Sequence, residues 1–134
     1  IQVYDALVYA HSKNVCHMDV RPRNIIVKPR TGEGLDVLLA DWGCSMSTNE
    51  IIKTGVFVGC TPYAHDLLLG ARTQVLKPTA DFDFASLGFT WYHIIRKRID
   101  WHFDRPNTVS SGRMKERNKM MRDFLQEADQ DNIH

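Results

Sequence analysis

Apolar residues recur at helical spacing from the first residue onward. Ile1, Tyr4, Leu7, Val8 and His11 fall on one side of a helix drawn through IQVYDALVYAHSK, which predicts a helix over 1–13 with that face turned inward. Asn14 suits its stop, because asparagine tolerates the left-handed backbone found there. Val15 and Cys16 lead into a polar octet, HMDVRPRN, His17 to Asn24. Ile25, Ile26 and Val27 are β-branched and read as a strand, KPRTGEG (Lys28 to Gly34) as a turn, and Leu35 to Ala40 as a second strand. Two strands about a Pro/Gly turn make a hairpin. Asn24 and Asp41 flank it, so strand pairing brings them together in space.

Cys44 to Gly59 is small and polar in composition and reads as a long mobile loop. GCTPYAHDLLLG and a loop about Pro78 follow. DFDFASLGFTWYHIIRKR, Asp81 to Arg98, opens on an aspartate and is apolar on almost every side, which places Trp91, Tyr92 and the isoleucines in the core. Its basic last turn, Arg96 to Arg98, complements the helix dipole. Residues 105–112 are loop-like. Met114, Met121, Leu125 and Ala128 give the inward stripe of a last helix. Lys115, Arg117, Lys119 and Arg122 alternate with acids there and are expected to face solvent.

Composition narrows the class. The 134 residues suit one domain with a real core, and 43% hydrophobic against 25% charged residues is ordinary for a globular protein. Seventeen Lys+Arg against sixteen Asp+Glu leave +1, without the basic excess expected of a nucleic-acid or membrane-surface protein. Neither partner is expected, and no apolar run approaches the roughly 20 residues that cross a bilayer. Cys16, Cys44 and Cys60 are odd in number and far apart, so reduced thiols in an intracellular protein are expected. The chain opens at Ile1 inside a helical pattern with no cap, as a piece of something longer would.

HMDVRPRN resembles the catalytic loop of eukaryotic protein kinases, H-R-D-x-K-x-x-N, with aspartate and asparagine at the same separation. ALVYAHSKNVC looks like the helix that leads into that loop, and DWG resembles the metal-binding D-F-G. GCTPYAHD looks like a divergent segment ending in A-P-E, and DFASLG, Asp83 to Gly88, is similar to D-x-W-S-x-G at the start of the family's central helix. These features stand in the family's order, from Ile1 to about Ile99. The resemblance implies a mainly α fold with a small β-hairpin, a protein-kinase-like C-terminal lobe of α+β type. Residues 1–134 would be a partial domain, because the N-lobe, with its glycine-rich loop, strand lysine and partner glutamate, is absent from this chain.

The same resemblance implies phosphotransfer with ATP and Mg2+. Such chemistry asks mainly for positioning and charge neutralisation. Asp19 would orient the attacking hydroxyl and accept its proton, while Asn24 and Asp41 would hold magnesium through hard oxygens. Arg21 stands where the family usually has lysine and keeps the cation. Ile26 matches the residue under the adenine. Thr61 is expected to hydrogen-bond Asp19 and Arg21, which favours a Ser/Thr acceptor on a protein substrate. His17 is expected to be a packing residue and Cys44 a small packing residue or an accessible thiol.

The departures carry consequences. Met18 replaces the arginine that pairs with a phosphorylated loop residue, so activity should not depend on such a phosphate. Trp42 keeps an aromatic plug, only larger. His65 and Asp66 replace proline and glutamate, and the arginine that would bind Asp66 is not found in the sequence. The reading is a divergent Ser/Thr-type protein kinase, with this span alone inactive. Two alternatives stand beside it: a small-molecule kinase similar to aminoglycoside or choline kinases, and a catalytically inactive pseudokinase scaffold.

Overall fold

The computed structural model describes residues 1–101, 103 and 105–130, without the side chains of Ala128 and Gln130. Its elements run α1 (Gln2–Ser12), β1 (Val15–Cys16), β2 (Ile25–Pro29), β3 (Leu35–Leu39), β4 (Met46–Ser47), α2 (Ala80–Arg96) and α3 (Ser111–Gln130). Short 3-10 turns at Pro22–Asn24, Trp42–Cys44, Thr61–Tyr63, Asp66–Leu68 and Pro106–Thr108 join them. The fold is mainly helical, with two antiparallel two-stranded ribbons, β1–β4 and β2–β3. The first ribbon was not readable from the sequence.

The hairpin pairs Ile25 with Leu39, Ile26 with Leu38, Val27 with Val37, Lys28 with Asp36 and Pro29 with Leu35. Lys28 and Pro29 therefore belong to the strand, and the turn shrinks to Arg30–Gly34, closed by the Arg30 N–H on the Gly34 carbonyl at 3.2 Å. Proline is tolerated there because it is the strand's last residue. α1 ends as read: Asn14 takes φ 61.

Its inward face differs. Val3, Leu7 and Ala10 are buried, whereas Ile1, Tyr4 and Val8 are exposed. The run is apolar on both flanks, so periodicity alone cannot choose between them; the stripe at i, i+4, i+7 meets Val20 and Leu39 in a small core of its own. Tyr4 lies instead against Phe84, ring centroids 5.4 Å apart.

α2 runs through the middle but is not enclosed. Phe82, Phe89 and Tyr92 enter the larger core, while Trp91, Ile94 and Ile95 face solvent. It stops at Arg96, two residues before the expected end, because Lys97 turns left-handed at φ 60. The stretch after Cys44 is no free loop. Met46 and Ser47 pair with Cys16 and Val15, and Ile52, 1% exposed, bridges Leu76. On α3 the deeply buried positions are Phe124 and Arg117; Met114 and Met121 are half-buried and Leu125 is exposed. Ala128 of the expected stripe lies outside the described side chains.

Candidate active site

The polar octet hangs from α2 through one carboxylate. Asp83, wholly buried, accepts the His17 and Met18 backbone N–H groups at 2.8 Å each and meets His11 Nε2 at 2.8 Å. Those bonds hold Met18 at φ 70, a conformation a side chain of this size rarely adopts. His17 is also wholly buried. Its Nδ1 accepts the Asp19 N–H at 3.1 Å, which leaves the proton on Nε2 to be donated to the Ala40 carbonyl at 2.8 Å. The expectation of a packing and bonding role for His17 agrees with this geometry.

Pro22 pre-sets the first position of a 3-10 turn that swings Asn24 back under Asp19. Asn24 Nδ2 donates to the Asp19 carbonyl at 2.8 Å and to its Oδ2 at 3.1 Å. Asp19 is 8% exposed, and its Oδ1 lies 3.3 Å from Arg21 Nε without accepting a hydrogen bond. Arg21 donates through NH1 to Cys60 Sγ at 3.8 Å.

Hairpin register delivers Asp41. With Ile25 opposite Leu39, the Ala40 N–H reaches the Asn24 carbonyl at 2.7 Å, and Asp41 follows at the same mouth. Asp41 sits at φ 54, ψ 74, exposed, its Oδ1 accepting the Gly43 N–H at 3.3 Å. Ile26 and Leu38, each about half exposed, are paired in register across the hairpin and leave an open apolar surface there. Asp19, Arg21 and Asn24 thus form one bonded cluster, with Asp41 and Ile26 at its edge.

Three oxygens here accept no hydrogen bond among the described residues: Asp19 Oδ1, Asn24 Oδ1 and Asp41 Oδ2. Two carboxylates and an amide carbonyl are hard donors of the kind magnesium takes. A second cluster, His11, Cys16 and Asp83, brings its ligand atoms within 4.8 Å, but Asp83 is already committed to backbone N–H groups and His11. Burial and the Asp83 charge push the Cys16 thiol up to about 11, so it is inert.

The profile of the protein kinase domain family matches residues 1–133. The chain belongs to the protein kinase domain family. It is 29% identical over 84% of its length to the serine/threonine-protein kinase mos of Patiria pectinifera, covering 32% of that protein. It is 31% identical over 87% of its length to a probable serine/threonine-protein kinase of Clostridium perfringens, covering 16% of it. It is 31% identical over 70% of its length to an Aurora kinase of Eremothecium gossypii, covering 23%. The chain thus spans a third or less of these curated relatives.

The segment of this kinase-family chain that follows Asp41 corrects the sequence reading twice. Among the described residues the Thr61 hydroxyl bonds neither Asp19 nor Arg21; the neighbouring Cys60 sulfur takes the guanidinium instead. Gly59 makes this approach possible: at φ +104, a Cβ there would lie 2.5 Å from the Met18 carbonyl. Arg117 is not solvated but has no exposed side-chain surface, because it is the partner of Asp66 that the sequence concealed. Its NH2 donates to Asp66 Oδ1 and Asn118 Nδ2 to Oδ2, both at 2.6 Å, while the guanidinium lies 4.0 Å over the Phe89 ring. Burial lowers its pKa, and the Asp66 charge opposes that.

Trp42 is not a buried plug either, being 37% exposed. Cys44 is exposed, and partial desolvation together with the Asp19 and Asp41 charges pushes its thiol up. Sequence reasoning missed Asp83, His11, Cys60 and Arg117. Asp83 carried a usable signal, since it opens the quoted DFASLG; the others carried none.

Proposed function

We propose that the protein containing this chain is an ATP- and magnesium-dependent protein kinase that phosphorylates a Ser/Thr-type hydroxyl of a protein substrate. The observation that carries the reading is the Asn24–Asp19–Arg21 cluster with Asp41 brought alongside by the hairpin register. Asp19 Oδ1 orients the attacking hydroxyl and takes its proton, and the two Asn24 bonds fix the aim of that oxygen. Asn24 and Asp41 hold magnesium, which when bound neutralises phosphate charge. Arg21 offers a second cation beside the transferred group, as a fork instead of a point charge. The Ile26–Leu38 face suits the adenine ring. Thr61 and Cys60 lie on the acceptor side.

Met18, buried in the larger core, puts a thioether where the family's arginine reads a phosphorylated loop residue, so activity is independent of that switch. The names of the relatives support a Ser/Thr acceptor, and the free thiols suit an intracellular setting. No helix among the described residues is long and apolar enough to cross a membrane.

The test is transfer of labelled γ-phosphate from Mg·ATP by the full-length gene product, offered generic protein substrates and, separately, aminoglycosides and choline. Label on protein that vanishes in Asp19→Asn is the expected result. Label on a small molecule would move the acceptor to the alternative class, and no transfer to anything would favour a scaffold.

A further inference from the structure

The stretch between the DWG motif and Cys60 is held in its middle by the loop that leads into α2. Ile52, 1% exposed, exchanges two backbone bonds with Leu76: its N–H reaches the Leu76 carbonyl at 2.6 Å, and its own carbonyl accepts the Leu76 N–H at 3.0 Å. Lys53 to Val56 then make a tight turn, with the Val56 N–H on the Lys53 carbonyl at 3.2 Å. Gly55 takes φ 78, the positive angle such a turn needs at its third residue. Both end carbonyls of the turn accept from a single nitrogen, NH2 of Arg72, that of Lys53 at 2.7 Å and that of Val56 beside it. The loop carrying Arg72 is anchored separately, by the Gly70 N–H on the Pro106 carbonyl at 2.6 Å. A guanidinium on a surface loop ordinarily contributes little, because water replaces its bonds. Here Arg72 is half-buried, and its NH1 is shut off from solvent and bonds none of the described residues. The arginine is therefore committed to the turn. Past Val56 the chain has no slack: Phe57 and Val58 pack on the larger core, Gly59 lies against the Met18 carbonyl, and Cys60 takes Arg21.

We propose that Arg72 is a positioning residue that clamps the turn Lys53–Val56 by its two end carbonyls and thereby sets the acceptor side of the site. The functional half of this inference rests on the kinase reading; the clamp itself does not. Its acceptors are neutral backbone oxygens, so the clamp is closed in every protein molecule and waits for no phosphate. The Ile52–Leu76 bridge fixes one point of the segment through backbone alone. Arg72 fixes the next turn, and with it the direction in which the chain leaves toward Cys60.

Arg72→Met in the full-length protein tests it, since methionine keeps an apolar stem but has no donor. Arg122→Met, an exposed position on α3, is the control for losing an arginine. Amide hydrogen exchange is read at Val56, in peptides covering 50–59, without nucleotide or acceptor. Exchange there is expected to quicken about five- to thirtyfold, the worth of one to two net hydrogen bonds, with α1 and α2 peptides unchanged and Arg122→Met silent. Arg72→Lys, which can still donate to one of the carbonyls, should fall between Arg72→Met and the native protein. Unchanged exchange in Arg72→Met, or equal acceleration throughout the domain, would overturn the clamp. So would loss of protection at Val56 when the native protein is treated with a phosphatase. In the kinase assay KM for the protein acceptor should rise by a similar factor, with half-saturating Mg·ATP unmoved and Arg72→Lys again intermediate. Faster exchange with an unmoved acceptor KM would overturn the positioning role. A native protein that transfers no phosphate would sink the proposed function while the exchange result still decides the clamp.

Discussion

Asp83 on α2 and Arg117 on α3 are both withdrawn completely from solvent, and each ties a functional segment to a helix. They are satisfied in opposite ways. Asp83 meets two backbone N–H groups and His11, all at 2.8 Å, so its charge is answered on every side. Among the described residues Arg117 has a single hydrogen-bonded partner, Asp66, which is 40% exposed, and its Nε and NH1 bond none of them. The faces of Phe89, at 4.0 Å, and Phe103, at 5.3 Å, take the place of those partners. The lesson concerns tolerance. A buried anion held by backbone donors has no substitute, whereas a buried cation against aromatic faces gains from stem packing as well as charge.

Asp83→Asn should be the most damaging change. The amide keeps the shape but points an NH2 at the His17 or Met18 N–H, leaving a buried donor without an acceptor. The expected loss is on the order of 3–5 kcal/mol, read as a lower urea midpoint in the full-length protein. Arg117→Ala should cost less, about 2–3 kcal/mol, because the abandoned Asp66 carboxylate can turn to water. Arg117→Met, which restores the stem against Phe89 and Phe103, should recover part of that. A larger loss from Arg117→Ala than from Asp83→Asn, or no recovery with methionine, would invert the comparison.

What the sequence revealed follows the same divide. The polar octet, the hairpin and the DWG motif were legible because their geometry is set by spacing: Asn24 and Asp41 flank a hairpin whose pairing is local. The kinase family was legible for the same reason. The Asp66–Arg117 contact spans 51 positions and joins a turn to a helix whose alternating charges suggest a solvated face, so no local pattern announces it. The face of α1 was misread because apolar residues lie on both flanks, and only packing on Leu39 and Val20 selects Val3 and Leu7. The hydrogen bond expected from Thr61 to Arg21 is not formed among the described residues, because Cys60, one position earlier, is the residue that the turn brings to Arg21.

The smallest effect lies beside Arg117 and depends on pH. His65 Nδ1 accepts the Leu67 N–H at 3.0 Å and caps the turn Asp66–Leu68, while its ring rests on Phe82 at 5.1 Å. Burial lowers its pKa below the ordinary 6.5; Asp66 and Asp81 pull it back up, and Arg117 pushes it further down. The unfolded chain therefore takes up this proton first as pH falls. Stability from neutral His65 is full above pH 6.5 and is lost as pH drops through the lower folded pKa. His65→Asn keeps an acceptor for the cap but cannot titrate. Urea midpoints measured from neutral pH downward should fall less steeply in the variant than in the native protein, by under about 1 kcal/mol. Equal slopes would mean that the cap survives protonation and that the aromatic contact, not the Nδ1 bond, holds this end of the segment.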